Sequence, residues 1–413
     1  LHNADVLSVK KKSGGNMSAL TLANNEYDYL DTPLGSVPRI FDEFWTAKQR
    51  QMHSLHYSNS YRASFKPELP DFFISKFTKK GDVVGDPFGG RGTTALQAAL
   101  SGRVALSNDV NPLSERIAYP KLHPVTVEEI EKRLEKINLK KDVDMSVEED
   151  MSMFYHPETY KEIINLKNYL KTHRDDVDRF IEMIALSRLH GHSTGFFSAY
   201  SFPQISIPKY RQQKINETRQ EMPDYREIKS RIIKKAKDTL KSGQLETLNA
   251  NSKKHIFTTG DARNLTGWED NSVNLVVTSP PFLNQVDYVQ DTWIENWFCG
   301  IAREEVDGKI VQTPNLSEWS QFISDVLSDL HRVLVPGGIV AMEVGEVKYQ
   351  GKILNLDEIV LGLTCSRSHN MHQFKVNEIY VQSQQFTKLA NCFNVSNNKK
   401  GTNTNRILVM ERM

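Results

Sequence analysis

The sequence predicts an open α/β sheet with helices on both faces, interrupted by a mostly helical inserted domain. Three stretches predict it. Residues 81–96 pass from a short apolar strand containing Val83 and Val84 through a glycine loop into a helix start. Val273, Leu275, Val276 and Val277 form a second buried-strand pattern, which ends at Thr278-Ser279-Pro280-Pro281-Phe282. The interval between the two is far longer than one helix and one strand require, so something is inserted there.

Composition bounds the class. With 413 residues, 39% hydrophobic and 25% charged, the chain can bury a large core and is expected to hold two domains, or one with a large insertion. No apolar run approaches the roughly 20 residues of a membrane span, and no signal-peptide pattern opens the chain; a cytoplasmic protein without membrane contact is expected. Cys299, Cys365 and Cys392 are scattered without metal-ligand spacing, which suits a reducing compartment. A formal net charge of +1 neither announces nor excludes a nucleic-acid partner, because a local basic face is enough for phosphate contacts.

Residues 1–35 show no sustained periodicity and are expected to form a tail; the chain opens on Leu1, and Met17 offers a possible start. Phe72, Phe73, Ile74 and Phe77 have the spacing of a helix packed beneath the following strand. In the glycine loop, Gly89, Gly90 and Gly92 allow close backbone approach to a ligand, and the helix beginning near Thr93 and Thr94 offers free N–H groups to an anion. A phosphate-binding loop would place a lysine after the last glycine, and Gly92-Thr93-Thr94 has none. Asp109 follows at the distance where a second strand presents a carboxylate to a ribose, which points to an adenosine-containing cofactor.

At the other strand tip, Ser279 and the Pro280 carbonyl could accept the two N–H groups of a conjugated amine. Pro280 and Pro281 fix φ and stiffen those acceptors, and Phe282 offers a face on which an extruded base can stack. An ordinary Pro-Pro loop after a strand is the plain alternative.

Asp86-Pro87-Phe88-Gly89-Gly90-Arg91-Gly92-Thr93-Thr94 resembles the S-adenosylmethionine motif of the amino-methylating DNA methyltransferases, and residues 278–282 resemble their catalytic motif. Ser64-Phe65-Lys66-Pro67 is similar to that family's cofactor-pocket motif. Residues 259–265 resemble the segment whose Asp, here Asp261, meets the cofactor adenine, and residues 331–338 resemble the turn introducing a late strand. These matches cover the sequence before about residue 125 and after about 255. Gly85 departs from the pattern, since a larger apolar residue is usual there and a looser strand follows. The resemblance implies a Rossmann-like methyltransferase sheet formed by 36–123 and 253–413, with 124–252 as a helical, DNA-recognising insertion.

Within the insertion, Thr126 and Glu129 form a capping-box signature followed by Ile130, Leu134 and Ile137 on one face. Two further helical runs carry Ile163, Leu166 and Leu170, then Phe180, Ile184 and Leu186. The stretch with His190, His192, Phe196, Phe197 and Tyr200, followed by Lys209, Arg211 and more cations, has the make-up of a surface touching bases and phosphates, although interleaved acids also fit a solvated face. His190 and His192 lack the companions and spacing of a metal site. After the catalytic motif, Asn284, Asp287 and Tyr288 are candidates for the base pocket, while Trp293 and Trp297 suit helix packing. Gln384, Gln385 and the Asn-rich 394–405 are weaker candidates for base reading.

The resemblance implies methyl transfer from S-adenosylmethionine to an exocyclic amine of a base flipped out of double-stranded DNA, with a cognate restriction or defence nuclease as a candidate partner. In that family Ser before Pro-Pro-aromatic goes most often with cytosine N4, and Asp or Asn with adenine N6. Cytosine is therefore favoured and adenine is the alternative. An RNA amine methyltransferase and a non-catalytic DNA-binding relic are further alternatives. No cysteine here follows proline, as ring-carbon methylation of cytosine would require.

Overall fold

A computed structural model describes residues 9–10, 26–33, 35–42, 52–61, 64–146, 148–283, 288–311, 313–365, 374–383 and 404–413. The strands are β1 (Val9–Lys10), β2 (Glu26–Thr32), β3 (Gly35–Asp42), β4 (Val83–Asp86), β5 (Val104–Asp109), β6 (Ile256–Thr259), β7 (Val273–Thr278), β8 (Leu334–Val344), β9 (Glu346–Tyr349), β10 (Lys352–Asn355), β11 (Phe374–Ser383) and β12 (Thr404–Arg412). The helices are α1 (Glu68–Phe77), α2 (Thr93–Leu100), α3 (Leu113–Leu122), α4 (Val127–Lys136), α5 (Pro157–Leu170), α6 (Asp176–Leu186), α7 (Lys209–Arg219), α8 (Ile228–Leu240), α9 (Leu245–Ala250), α10 (Tyr288–Asp291), α11 (Trp293–Cys299), α12 (Leu316–Val333) and α13 (Leu356–Cys365).

Ten strands form one sheet in the order β1-β2-β3-β11-β12-β8-β7-β4-β5-β6, and β9 and β10 form a separate hairpin. From β8 to β6 all neighbours are parallel, while β12 runs antiparallel between β8 and β11. The chain moves outward from β4 through β5 to β6, then returns to the other side of β4 for β7. The order therefore reverses between β4 and β7. In open α/β sheets such a reversal leaves a crevice at the carboxyl ends of the two strands. Apart from half-buried Asn274, whose Oδ1 accepts from the Val83 N–H, β7 is apolar up to Thr278, as a strand covered on both faces requires, with Val273, Leu275, Val276 and Val277 fully buried.

Residues 26–32 correct the expectation of an N-terminal tail: they pair with β3 as β2, and Leu30 is buried in the core. The strand sits in an edge hairpin where acidic residues alternate with few apolar ones, which hides its period in the sequence. Gly85 also has a structural reason. A Cβ there would lie 2.6 Å from the Trp268 indole, so the missing side chain is the space that the tryptophan fills.

The inserted segment is helical from α4 to α9. Thr126 Oγ1 accepts from the Glu129 N–H and the Glu129 carboxylate accepts from the Thr126 N–H, closing the capping box. Its core residues, among them Ile163, Leu166, Phe180 and Ile184, belong to the same hydrophobic cluster as Leu69, Phe73 and Leu96 beneath the sheet. The insertion is thus continuous with the sheet's own core. Among the described residues no helix is long and apolar enough to cross a membrane.

Candidate active site

The tips of β4 and β7 meet at one hydrogen bond. Val84 and Gly85 pair with Leu275 and Val276, which brings Asp86 beside the end of β7. There Thr278 Oγ1 donates to Asp86 Oδ1 at 2.7 Å, and the Phe88 N–H donates to the same oxygen at 3.1 Å. Thr94, in the first turn of α2, donates to the Val277 carbonyl at 3.0 Å, tying the glycine-loop helix to β7. Asp86 is buried and no cation is among its partners, so burial pushes its carboxyl up to about 7 against the hydrogen bonds from Thr278, Phe88 and Thr94.

The glycine loop lies flat on β5. A Cβ on Gly89 would come within 2.2 Å of Ser107 Oγ, and Gly92, at φ +77°, both starts α2 and presses against Ala118. The Gly90 N–H donates to Asp109 Oδ2 at 2.8 Å and the Asn111 N–H to Oδ1 at 2.9 Å, which fixes the carboxylate at the tip of β5. Burial again raises that carboxyl. At the tip of β6, Asp261 is held by Arg263 at 2.5 Å; the guanidinium's hydrogen bond lowers the Asp261 carboxyl.

A cleft of about 810 Å³, counted to its open mouth, runs across these tips. Ser64, Phe65, Asp86, Pro87, Phe88, Gly89, Gly90, Thr93, Asp109 and Asp261 line it, together with Ser279 and Pro281. Pro67, Gly92 and Thr94 stand behind the wall as helix starts and strand ties. Pro280 is buried and Phe282 half-buried; neither lines the cleft. The Pro281 carbonyl accepts from Trp319 Nε1 at 2.8 Å, which pins the start of the catalytic loop to α12.

Besides Val110, Ala262, Lys309, Ile310 and Val311, which also line the cleft, three contributors escaped sequence reasoning. Tyr61 and Phe322 line the cleft, and Phe322 lies 5.9 Å from Phe88 and 5.7 Å from the Arg263 guanidinium, building an aromatic wall. Phe322 sits in the apolar stripe of α12, where its spacing is that of a core residue. The third is Glu343 in β8, beside β7. It is buried and bonded by the Ser279 hydroxyl; burial pushes its carboxyl up to about 7 against that bond. A single acid in the apolar run of residues 339–344 was the available signal.

The expected nucleic-acid residues divide. Phe196 and Phe197 are only 5% and 1% exposed, which corrects their assignment to a surface. Phe196 packs over Gly191, where a Cβ would sit 2.4 Å from the ring, and under Arg188; Phe197 lies in the main core. His190 is buried against Glu295 at 2.8 Å, and Tyr200 lies beneath the Arg219 guanidinium. His192 and Arg211 are exposed, and Lys209 pairs with Glu149. The exposed aromatics of this region are instead Phe202, at 42%, and Tyr210, at 72%. Tyr288 opens α10, but its side chain, Asn284, Asp287, 384–388 and 394–403 lie outside the described residues. Among the described residues no group of three or more metal-ligating side chains comes together.

A doubly wound sheet with a glycine loop and a Ser-Pro-Pro turn opening on one cleft has the crevice at a strand-order reversal in which such sheets bind ligands. Residues 10–119 match the family model described as DNA methylase. Type II methyltransferase M.BsoBI of Geobacillus stearothermophilus is 23% identical over 290 residues, covering 61% of this chain and 54% of the relative. Type II methyltransferase M.MjaI of Methanocaldococcus jannaschii is 35% identical over 101 residues, covering 22% of this chain and 33% of the relative. The chain thus spans about half the length of the first relative and a third of the second. Among solved structures, the rRNA methyltransferase aviRa from Streptomyces viridochromogenes aligns over 89% of this chain and 96% of its own at 11% identity, with a TM-score of 0.34. Over residues 10–119 the chain is thus similar to the amino-group DNA methylases.

The cofactor of that family is S-adenosylmethionine, and the cleft's own chemistry suits it. It combines aromatic walls, a loop with no room for side chains, and the buried Asp86 carboxyl, which has no cation among its hydrogen-bond partners although Lys309 also lines the cleft; a positively charged sulfonium suits that carboxyl.

Proposed function

We propose that this chain methylates the exocyclic amine of a base flipped out of double-stranded DNA, cytosine N4 in preference to adenine N6. The observation that carries this reading is that Asp86 and Ser279, from adjacent strand tips, line the same cleft.

S-adenosylmethionine would be held by Ser64, Phe65, Phe88, the glycine loop, Asp109 and Asp261, and supplies an activated methyl group. The chain's residues do the rest by orientation. Ser279 Oγ gives its proton to the Glu343 carboxylate in a hydrogen bond, so its lone pairs face outward to accept an N–H of the amine. The Pro280 carbonyl accepts the second N–H, held by two prolines and by the Trp319 bond to Pro281. With both N–H groups engaged, the nitrogen lone pair is directed at the methyl. The proton that the amine sheds passes through Ser279 to Glu343, whose carboxyl near neutrality can take it up. Phe282 offers a stacking face for the flipped base. Exposed His192, Arg211 and Tyr210, with Lys209, supply contacts for the duplex.

The type II names of the relatives support a setting in which a nuclease reads the same sequence. Mass spectrometry of nucleosides from the DNA of an expressing host tests the proposal. N4-methylcytosine is expected. N6-methyladenine alone would overturn the choice of base, and neither product would overturn methylation of DNA.

A further inference from the structure

The catalytic loop leaves β7 at Ser279 and rejoins described structure at α10, and that far end is fastened by the insertion. The Ser206 N–H donates to the Asp291 carbonyl at 2.9 Å, and Ser206 Oγ donates to Glu295 Oε2 at 2.6 Å. The Ile294 N–H donates to Ser206 Oγ at 3.1 Å, and Trp293 Nε1 to the Ile207 carbonyl at 3.1 Å. His190, from the loop after α6, bonds the other Glu295 oxygen at 2.8 Å. Ser206 and His190 are buried and Glu295 is nearly so. Burial opposes ionisation of Glu295, yet His190 and Ser206 outweigh it and hold the carboxyl below its usual range.

One residue, Pro208, separates this knot from α7, which carries Lys209, the exposed Tyr210 and Arg211. α7 is itself tied down on its inner side, where Gln212 donates to the Tyr200 carbonyl at 2.9 Å and Asn216 to the Met153 carbonyl at 2.7 Å. A load on the outer face of α7 therefore reaches α10 and α11 through short, largely part-buried hydrogen bonds.

We propose that Ser206, Glu295 and His190 are positioning residues that couple DNA contact at α7 to the placement of the catalytic loop. The inference rests on the DNA-methylating function proposed above. None of the three need touch the base; they fix the loop end whose other end presents Ser279.

Hydrogen exchange with sheared, unmodified bacteriophage DNA tests it on the full chain. In the wild type, DNA is expected to slow exchange both in 205–219 and in 279–299. In Ser206→Ala the slowing in 205–219 persists and that in 279–299 disappears, and Ser206→Thr restores it. Glu295→Gln serves as the second variant. In turnover, Ser206→Ala lowers kcat about 10- to 100-fold with little change in affinity for S-adenosylmethionine. Tyr225→Phe, which removes a bond to Glu162 inside the insertion, changes thermal stability but not the exchange pattern. Slowing of both segments in Ser206→Ala, with kcat unchanged, overturns the coupling and leaves the proposed function standing. No slowing anywhere in the wild type, with no methyl transfer, overturns both.

Discussion

Two glutamates largely shielded from solvent stand at the two ends of the catalytic loop, and they are held there on opposite terms. Glu295, at the exit, has a histidine and a hydroxyl and is held below the usual carboxylate range. Glu343, at the entry, is bonded by the Ser279 hydroxyl and is pushed up to about 7. An acid whose two oxygens are both bonded, and whose hydrogen bonds outweigh burial, is an anchor, and protonating it loosens the fold. One in which burial outweighs its hydrogen bond is poised to gain or lose a proton near neutrality, and Glu343 does so directly behind Ser279 at the cleft.

The largest expected effect falls at the entry. Ser279→Ala removes the acceptor that aims the amine, and methyl transfer should fall on the order of 10²- to 10³-fold in a radiolabelled-methyl assay. Melting temperature should hardly move.

The same substitution at the two glutamates should then have opposite signs. Glu295→Gln leaves His190 without its charged partner and should cost about 3 kcal/mol in denaturant unfolding at pH 7. Glu343→Gln should stabilise the protein at pH 8 by about 1–3 kcal/mol. Its folded carboxyl is raised above the unfolded one, so the unfolded chain releases that proton first. Wild-type stability from this group falls as pH rises from about 4.5 to about 7, and the whole penalty is present above 7. Glutamine removes it. If both variants shift stability the same way, the contrast between anchor and poised acid fails.

Activity sharpens the contrast further. Methyl transfer should rise with pH through about 7, as Glu343 becomes able to accept from Ser279. In Glu343→Gln that limb should flatten and kcat should drop about tenfold. The smallest effects belong to the insertion's surface. Lys209→Ala and Arg211→Ala should each weaken DNA binding a few-fold and reduce the slope of log affinity against log salt by about 1, leaving affinity for the cofactor unchanged.

How much could be read beforehand follows the same division. The strand tips were legible because backbone chemistry there demands particular residues. Gly89 has no room for a side chain, Pro280 and Pro281 stiffen a turn, and Asp86 ends a strand. Helix periods likewise revealed α1 and α4 to α6. Partner-dependent roles were not legible. Glu343 acquires its character from β7, which lies sixty-odd residues away in sequence and beside it in the sheet. Phe196 and Phe197 read like Phe202 and Tyr210 until packing buries one pair and leaves the other outside. β2 escaped because its acidic residues break up the apolar pattern. Gly85 seemed a weakness and is the seat of an indole, a fact held by Trp268 alone.

The central claim is that one cleft holds the cofactor beside Asp86 and the amine beside Ser279. Calorimetric titration of S-adenosylmethionine into Asp86→Asn and Ser279→Ala in parallel tests it most directly. Asp86→Asn should bind about 10- to 100-fold more weakly than the wild type, and Ser279→Ala should bind as the wild type does. Equal, undiminished binding by both variants would contradict the account.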